Sequence, residues 1–494
     1  MADYDLAIIG GGINGTGIAR DAAGRGLRVL LLEQNDLGSG TSSASTKLIH
    51  GGLRYLEHGA FRLVREALSE REVLLRTAPH LIHPMRFVLP AVPGPRSPVM
   101  LRIGLLLYDW LGARKILPPS RRVDLATHLT GQPLLRKFRS GFEYSDCWAD
   151  DARLVALNAV DAAERGAEIR TRTRLVRAER EDVWRLILNV QGRREVATAR
   201  VLVNAAGPWA GVVSETILRM EGRPPLRLAK GSHIVVPKLF DHGYGYILQN
   251  IDKRVVFALP FADDFTLIGT TDLNFIGSLD IVAPNPEEVL YLCNAVSEFF
   301  RTPVSAADVV WAFAGVRSLY DDSGGRDTPE DVTRDYRLVL DERYGEAPVL
   351  TVYGGKITTH RRLAEDALDK LAHFFQLRRR WTAATPLPGG EFSWDAIEAE
   401  VAKAHRAWPF LGEREAWRLV RAYGTRVDRV LGEAKQRSDL GPFFGPLSAA
   451  EVRHLMTHEW ARQPDDVLWR RTKLGLTVSK AERDALAKFM VPPP

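Results

Sequence analysis

The apolar and polar positions at the start of the chain fall into a strand, a turn, a helix and a second strand. DYDLAIIGGG reads as a strand entering a glycine turn, INGTGIARDAAGRG as a helix stopping at Gly24–Gly26, and LRVLLLE as the next strand. That second strand is a continuous apolar run, the kind buried on both faces in a parallel sheet. Another such run, Val201–Ala205, ends at Gly207–Pro208. Between them Phe61, Val64, Leu68 and Leu75 recur at helical spacing. Over residues 230–275 the period changes to two in SHIVVP, RVVFALP and FTLIGTTD, which predicts antiparallel strands. After PLPGG at Pro386–Gly390 the chain turns rich in Trp, Arg, Glu and Ala with helical periodicity, so PLPGG reads as a linker.

The predicted fold class is α/β, α+β overall. It comprises a Rossmann-like parallel sheet, an inserted antiparallel sheet and a helical C-terminal domain. One further apolar stretch, Val99–Leu111, is too short to span a bilayer and carries Arg102 and Asp109. Val99, Ile103, Leu106 and Trp110 share one helical face. The first expectation is a core helix, the second a surface helix that dips into lipid, since Arg96, Arg114 and Lys115 flank it.

Composition narrows the class. A chain of 494 residues exceeds what one core supports, so two or three domains are expected. The net charge of +6 is spread out, without the basic, aromatic-studded stripe of a nucleic-acid binder. It suits an anionic membrane surface or a phosphorylated substrate. Only two cysteines occur, Cys147 and Cys293, outside any CxxC pair, so neither a disulfide framework nor a metal site is expected. A reducing, cytoplasmic setting follows, and no basic, cleavable leader precedes the first strand.

The glycine turn carries the first chemistry. Gly10, Gly12 and Gly15 form G-x-G-x-x-G between a strand and a helix, with Asn14 inside the motif. The first glycine permits the turn, the second a close approach to a pyrophosphate, and the third close helix–strand packing. The helix N-terminus stabilises the phosphate charge. Glu33, at the end of the second strand, suits a ribose diol and disfavours a 2′-phosphate, which argues against NADP. FAD and NAD share this fingerprint. Residues 39–59, SGTSSASTKLIHGGLRYLEHG, offer hydroxyls at Thr41, Ser42, Ser43, Ser45 and Thr46, then His50-Gly51-Gly52, which suit a loop against a flat ring. An ordinary surface loop has the same composition.

With these motifs on the page, the chain resembles the FAD-dependent aerobic glycerol-3-phosphate dehydrogenases of the D-amino-acid oxidase-like flavoproteins. The resemblance rests on DLAIIGGGINGTGIARDAAGRG, TSSASTKLIHGGLRYLEHG, FEYSDCWADDARLV, VNAAGPWA, KGSHIVVP, IGTTD, GVRSL, TRDY, YGGKITTHRRLAE and HEWARQPDDVLWRRTKLGL, in order from residue 5 to about residue 476. It implies oxidation of sn-glycerol 3-phosphate to dihydroxyacetone phosphate, with hydride passing from C2 to the N5 of a non-covalent FAD. The electrons would go to a membrane quinone, from a protein held peripherally on the cytoplasmic face of the membrane; a homodimer is compatible with it.

The resemblance also divides the chain. Residues 1–388 form the oxidoreductase, with an FAD part at about 1–75, 145–227 and 305–388 and a substrate part at about 76–144 and 228–304; residues 389–494 form the C-terminal domain. Arg54, Arg334 and Lys356, with the Tyr55 hydroxyl, are the expected phosphate ligands. His233 is the expected general base, with Arg317 as rival for the C2 oxygen. The FAD is expected against Gly10, Gly12, Asn14, Gly15 and Glu33, then Thr41, Ser42, Ser45, Lys47, His50, Gly51 and Gly52. Further contacts are expected at Ala206 and Gly207, and at Gly354, Gly355, Lys356 and Thr358. Ser318 and His360 depart from the family pattern, which has proline and tyrosine there.

Competing enzymes are the related oxidase that uses oxygen, which usually carries an extra segment without counterpart here, and an amine-oxidising flavoenzyme. A non-catalytic flavoprotein module is disfavoured by the cations. An NAD(P)H-using hydroxylase or disulfide reductase is disfavoured by the absence of a second nucleotide fingerprint and of a CxxxxC.

Overall fold

In the computed structural model, residues 2–92, 97–112, 116–220, 226–250, 252, 254–321 and 335–491 are described. The opening βαβ unit forms as its pattern requires: Tyr4–Ile9, helix Ile13–Gly24 and Val29–Leu32. Tyr4–Ile9 lies between Val29–Leu32 and Arg193–Asn204, parallel to both, and Arg193–Asn204 continues parallel to Glu346–Tyr353. The apolar strands are covered on one side by helices Ile13–Gly24, Asp151–Glu164 and His360–Lys370, whose alanines allow close packing. On the other side they meet the sheet's own hairpin, Thr173–Arg180 and Trp184–Val190, through Leu175, Trp184 and Leu186.

The second sheet is mostly antiparallel and holds the period-two strands Leu226–Pro237, Val255–Phe261 and Phe265–Gly269. Three stretches expected in the FAD part also run in it: Leu48–Ile49, the second half of strand Ser140–Ala149 from Ser145 on, and Trp311–Tyr320. The divisions at residues 145 and 305 therefore cut through a connected sheet. Trp311–Tyr320 pairs along the full length of Leu226–Pro237, a long-range pairing that short-range periodicity does not encode.

Helix Pro98–Leu111 overturns the core-helix expectation. Val99, Ile103 and Trp110 are 68%, 61% and 75% exposed, and Met100 and Leu106 stand out beside them. The polar residues turn inward instead. The Asp109 carboxylate accepts from the Ser120 amide and hydroxyl, Arg102 donates to the Ser120 carbonyl, and the Tyr108 hydroxyl donates to Asp146. Arg96, Arg114 and Lys115 lie outside the described residues.

The C-terminal domain has its own core, built by helices Ile397–Ala407, Glu413–Tyr423, Ala449–His458 and Lys480–Met490. PLPGG is not a solvent-exposed linker. Leu387, Pro388, Gly389 and Gly390 are buried, and the Leu387 amide donates to the Thr77 carbonyl at 2.7 Å. Gly389 and Gly424 meet backbone to backbone, so closely that a Cβ on Gly424 would stand 1.8 Å from the Gly389 oxygen.

Candidate active site

A cavity of about 580 Å³ runs between the two sheets from Glu33 to His233. At one end Glu33 closes the second strand, where its carboxylate accepts from the Gly11 and Asn35 amides at 2.8 and 2.7 Å. Burial pushes its pKa up against those two donors. Gly10 has φ +107°, and a Cβ there would meet the Ala205 carbonyl oxygen at 2.6 Å. The wall beyond the turn is the N-terminus of helix Ile13–Gly24, whose positive end favours an anion. The hydroxyl loop closes over this end, and the Ile13 amide donates to Ser42 Oγ at 3.0 Å.

At the other end His233 sits mid-strand, paired with Gly269 on one side and Phe313 on the other. Gly269 makes room for it, since a Cβ there would lie 2.1 Å from the imidazole. The ring stacks on Phe313 with centroids 5.0 Å apart, and Nε2 shares a 2.9 Å hydrogen bond with Thr46 Oγ1. Burial first, then the Lys47 charge, lowers its pKa to about 3, so the imidazole is neutral at pH 7. The Arg317 guanidinium reaches the same wall and is held by Asp272 at 2.8 Å. The Lys356 ammonium lies 3.9 Å from the centre of the Tyr55 ring, a cation–π contact. Gly354 and Gly355, at φ +72° and +99°, form the turn beside them. The Asn14 amide donates to the Gly354 carbonyl at 3.1 Å, which ties the two glycine turns together.

Most of the residues singled out from the sequence meet on this one wall. Gly10, Gly12, Asn14 and Glu33 line one end, and Thr41, Ser42, Ser45 and His50 the middle. Ala206 and Gly207 follow, with Tyr55, His233, Arg317, Gly354, Gly355, Lys356 and Thr358 beyond. Five expected residues do not line the cavity, and four of them support its wall from behind. Gly15 packs against the turn, where a Cβ would stand 1.9 Å from the Gly10 oxygen. Lys47 is fully buried with its ammonium 2.7 Å from Asp151, and donates to the Ser43 carbonyl, so it props the hydroxyl loop instead of reaching the cavity. The Gly51 amide donates to the Tyr108 hydroxyl, and Gly52 leaves room for the Tyr55 ring. Arg54 is half-buried and is not among the residues that line the cavity. Arg334 lies outside the described residues.

The two departures fit locally. The Ser318 side chain is buried beside Gly207, and His360 packs on Gly17 with Nδ1 2.7 Å from the Ile357 carbonyl. Sequence reasoning missed Asp272, Phe313 and the apolar strip Val212, Val213 and Ile217 that lines the Glu33 end. Their signal lies in strand register and in the short, widened helical turn over residues 210–217, which no local motif marks.

A small-molecule cofactor of nucleotide type fits this cavity on its own terms. Its volume falls in the range of ligand pockets, a helix N-terminus faces it, and Glu33 closes one end. Buried at the wall, Asn14 Oδ1 and His233 Nδ1 have no hydrogen-bond partner among the described residues. Among the described residues no group of three His, Cys, Asp or Glu gathers as for a metal ion.

A glycine turn joined to a half-buried carboxylate on one sheet, with an imidazole and a guanidinium on the other, defines a dinucleotide-dependent oxidoreductase. The chain belongs to the FAD dependent oxidoreductase family, whose model matches residues 5–361, and the C-terminal domain of alpha-glycerophosphate oxidase matches residues 380–490. A glycerol-3-phosphate dehydrogenase of Pseudomonas aeruginosa is 51% identical over 492 residues, 99% of this chain and 95% of that protein. A D-erythritol 1-phosphate dehydrogenase of Brucella abortus is 49% identical over 98% of this chain and 97% of its own length. The solved glycerol-3-phosphate dehydrogenase of Bacillus halodurans, complexed with FAD, superposes with a TM-score of 0.78 at 26% identity, covering 99% of this chain and 90% of that one. The cofactor is FAD.

Proposed function

We propose that the protein oxidises sn-glycerol 3-phosphate to dihydroxyacetone phosphate, using the wall formed by His233, Arg317 and Lys356. The observation that carries this reading is a neutral, buried imidazole facing the same cavity as two cations. FAD, when bound, supplies the two-electron acceptor. His233 takes the proton of the substrate's C2 hydroxyl on a ring nitrogen, while Thr46 and Phe313 fix the ring plane. The Arg317 guanidinium, a donor held by Asp272, takes the other role beside the base. It offsets the negative charge that grows on the C2 oxygen. Lys356, set against Tyr55, supplies a point charge for the phosphate, and Arg334 is a further ligand proposed from the sequence.

Two polyol phosphates share this chemistry, a secondary alcohol beside a phosphorylated carbon, and the Brucella abortus relative is named for the longer one. Anaerobic mixing of the oxidised holoenzyme with glycerol 3-phosphate, erythritol phosphate or glycerol separates them by the bleaching of flavin absorbance. Glycerol 3-phosphate is expected to reduce the flavin fastest and glycerol not to reduce it. Faster reduction by erythritol phosphate would reassign the substrate.

A membrane quinone is proposed as the electron acceptor, with the protein held peripherally on the membrane. The support is the outward apolar face of helix Pro98–Leu111, next to basic flanking residues in the sequence. No helix among the described residues is long and apolar enough to cross a membrane. Reoxidation of the reduced enzyme by a short-chain quinone is expected to outrun reoxidation by dissolved oxygen; the reverse order would favour an oxidase.

A further inference from the structure

The segment Asp466–Arg471 ties the C-terminal domain to the loop at the Glu33 end of the candidate active site. It lies in the motif HEWARQPDDVLWRRTKLGL, which the oxidation chemistry above does not use. Its side chains leave their own domain. The Arg470 Nε donates to Asp36 at 2.5 Å, and Arg471 grips the same carboxylate with two hydrogen bonds of 2.9 Å. The Asp466 carboxylate accepts from Arg172 at 2.8 and 2.9 Å.

Both targets are handles on the cavity wall. Asp36 does not face the cavity, but Gln34 and Asn35 before it and Gly38, Ser39 and Gly40 after it do. The Gly38 amide donates to the Gly11 carbonyl, so the loop is also tied to the glycine turn. Arg172 donates its amide to the Asn35 carbonyl and directly precedes Thr173, Arg174 and Leu175, which line the wall. The Arg471 side chain is fully buried and Asp36 is 1% exposed, so this carboxylate depends on those guanidinium groups for its charge balance. A loop is the least rigid way to build a binding wall, and here a separate domain fixes it from behind.

We propose that the C-terminal domain retains the cofactor: Arg470 and Arg471, through Asp36, are positioning residues that hold loop 34–40 closed on the Glu33 end of the FAD. This rests on FAD lying in the cavity and is independent of which alcohol is oxidised. An outer layer of this kind carries about 10-fold or more in ligand retention.

The test reads FAD release from purified holoenzyme, as recovery of free-flavin fluorescence after dilution, without substrate. Arg470→Gln and Asp36→Asn are compared with Glu164→Gln, which weakens a different contact of the same domain, the exposed pairs with Arg426 and Arg429. Arg471→Lys serves as the conservative variant, and circular dichroism reports folding. Arg470→Gln leaves Arg471 on Asp36 and its own side chain is partly exposed, so it is the variant best placed to stay folded. FAD release is expected at least about 10-fold faster in Arg470→Gln and Asp36→Asn. Arg471→Lys should fall between them and wild type, and Glu164→Gln should release like wild type. Wild-type release rates in folded Arg470→Gln and Asp36→Asn would overturn the proposal. Equal acceleration in Glu164→Gln would overturn it too, because domain docking in general would then be the cause. Loss of substrate reduction with normal FAD retention would instead count against the proposed activity alone.

Discussion

At the residue scale, the account turns on how burial tunes one imidazole. In the sequence His233 stands before an apolar strand, where a satisfied core histidine is the commoner occupant, and the motif KGSHIVVP is what points to a base. Its environment favours the proposed base. The ring is buried, stacked on Phe313 and hydrogen-bonded through one nitrogen, while the other has no partner among the described residues. With its pKa near 3, the imidazole does not titrate between pH 5.5 and 8. The rate of flavin reduction at saturating substrate is therefore expected to be flat over that range. A stopped-flow pH series with a step near 6.5 that disappears in His233→Ala would contradict this. His233→Ala itself should slow reduction by about 100-fold or more, the usual share of a positioned base. Lys356→Met is expected to weaken substrate binding about 10- to 100-fold with a near-normal limiting rate, as for a charged contact made equally throughout the reaction. Arg54→Ala should cost less than Lys356→Met, because Arg54 lies off the wall; substrate titrations of the reduction rate rank the two.

At the scale of elements, the glycine turn was legible because its chemistry is local: three glycines, a helix start and a carboxylate at fixed spacing. The hydroxyl loop was legible as a loop, but which members face the cavity was not. Lys47 and Ser45 are two residues apart and both bond Asp151, over 100 positions away, yet Ser45 lines the wall and Lys47 does not. Strand Trp311–Tyr320 escaped its sheet for the same reason: its partner is nonlocal. Helix Pro98–Leu111 shows the opposite failure. Its stripe was read correctly, but a stripe does not say whether protein or lipid covers it. Arg102 and Asp109 find partners inside, which leaves the apolar face outside. Ile103→Glu and Trp110→Glu are therefore expected to abolish flotation with anionic vesicles while leaving flavin reduction intact. Unchanged flotation, or a wild-type dimer that the substitutions split, would reassign that face to a second copy of the chain.

At the scale of the whole molecule, the oxidoreductase and the C-terminal domain are joined by buried charge as well as by apolar packing. Arg153 pairs with Glu459, and Asp36 with Arg470 and Arg471, each across the boundary. The domain order was legible from the change in texture at PLPGG, but the docking was not, because a glycine–proline stretch reads the same whether buried or free. Buried histidines add a pH dependence. Burial holds His80, His83 and His233 near 3 and His360 near 4, below the value of about 6.5 expected in the unfolded chain. The unfolded state thus binds more protons as pH falls below about 6.5, so stability present above that pH is lost progressively toward pH 3 to 4. Thermal melts of the holoenzyme should show Tm falling between pH 6.5 and 4.5. A constant Tm across that window would mean these histidines are not buried as neutral groups.

The central claim is that one cavity brings FAD, a neutral base and phosphate-binding cations together to oxidise glycerol 3-phosphate. Its most direct test is the visible absorbance of the FAD-loaded protein, mixed without oxygen with that compound. Rapid and complete bleaching, slowed about 100-fold or more in His233→Ala, is the result expected. An unbleached flavin in a folded, FAD-loaded wild-type protein would contradict it.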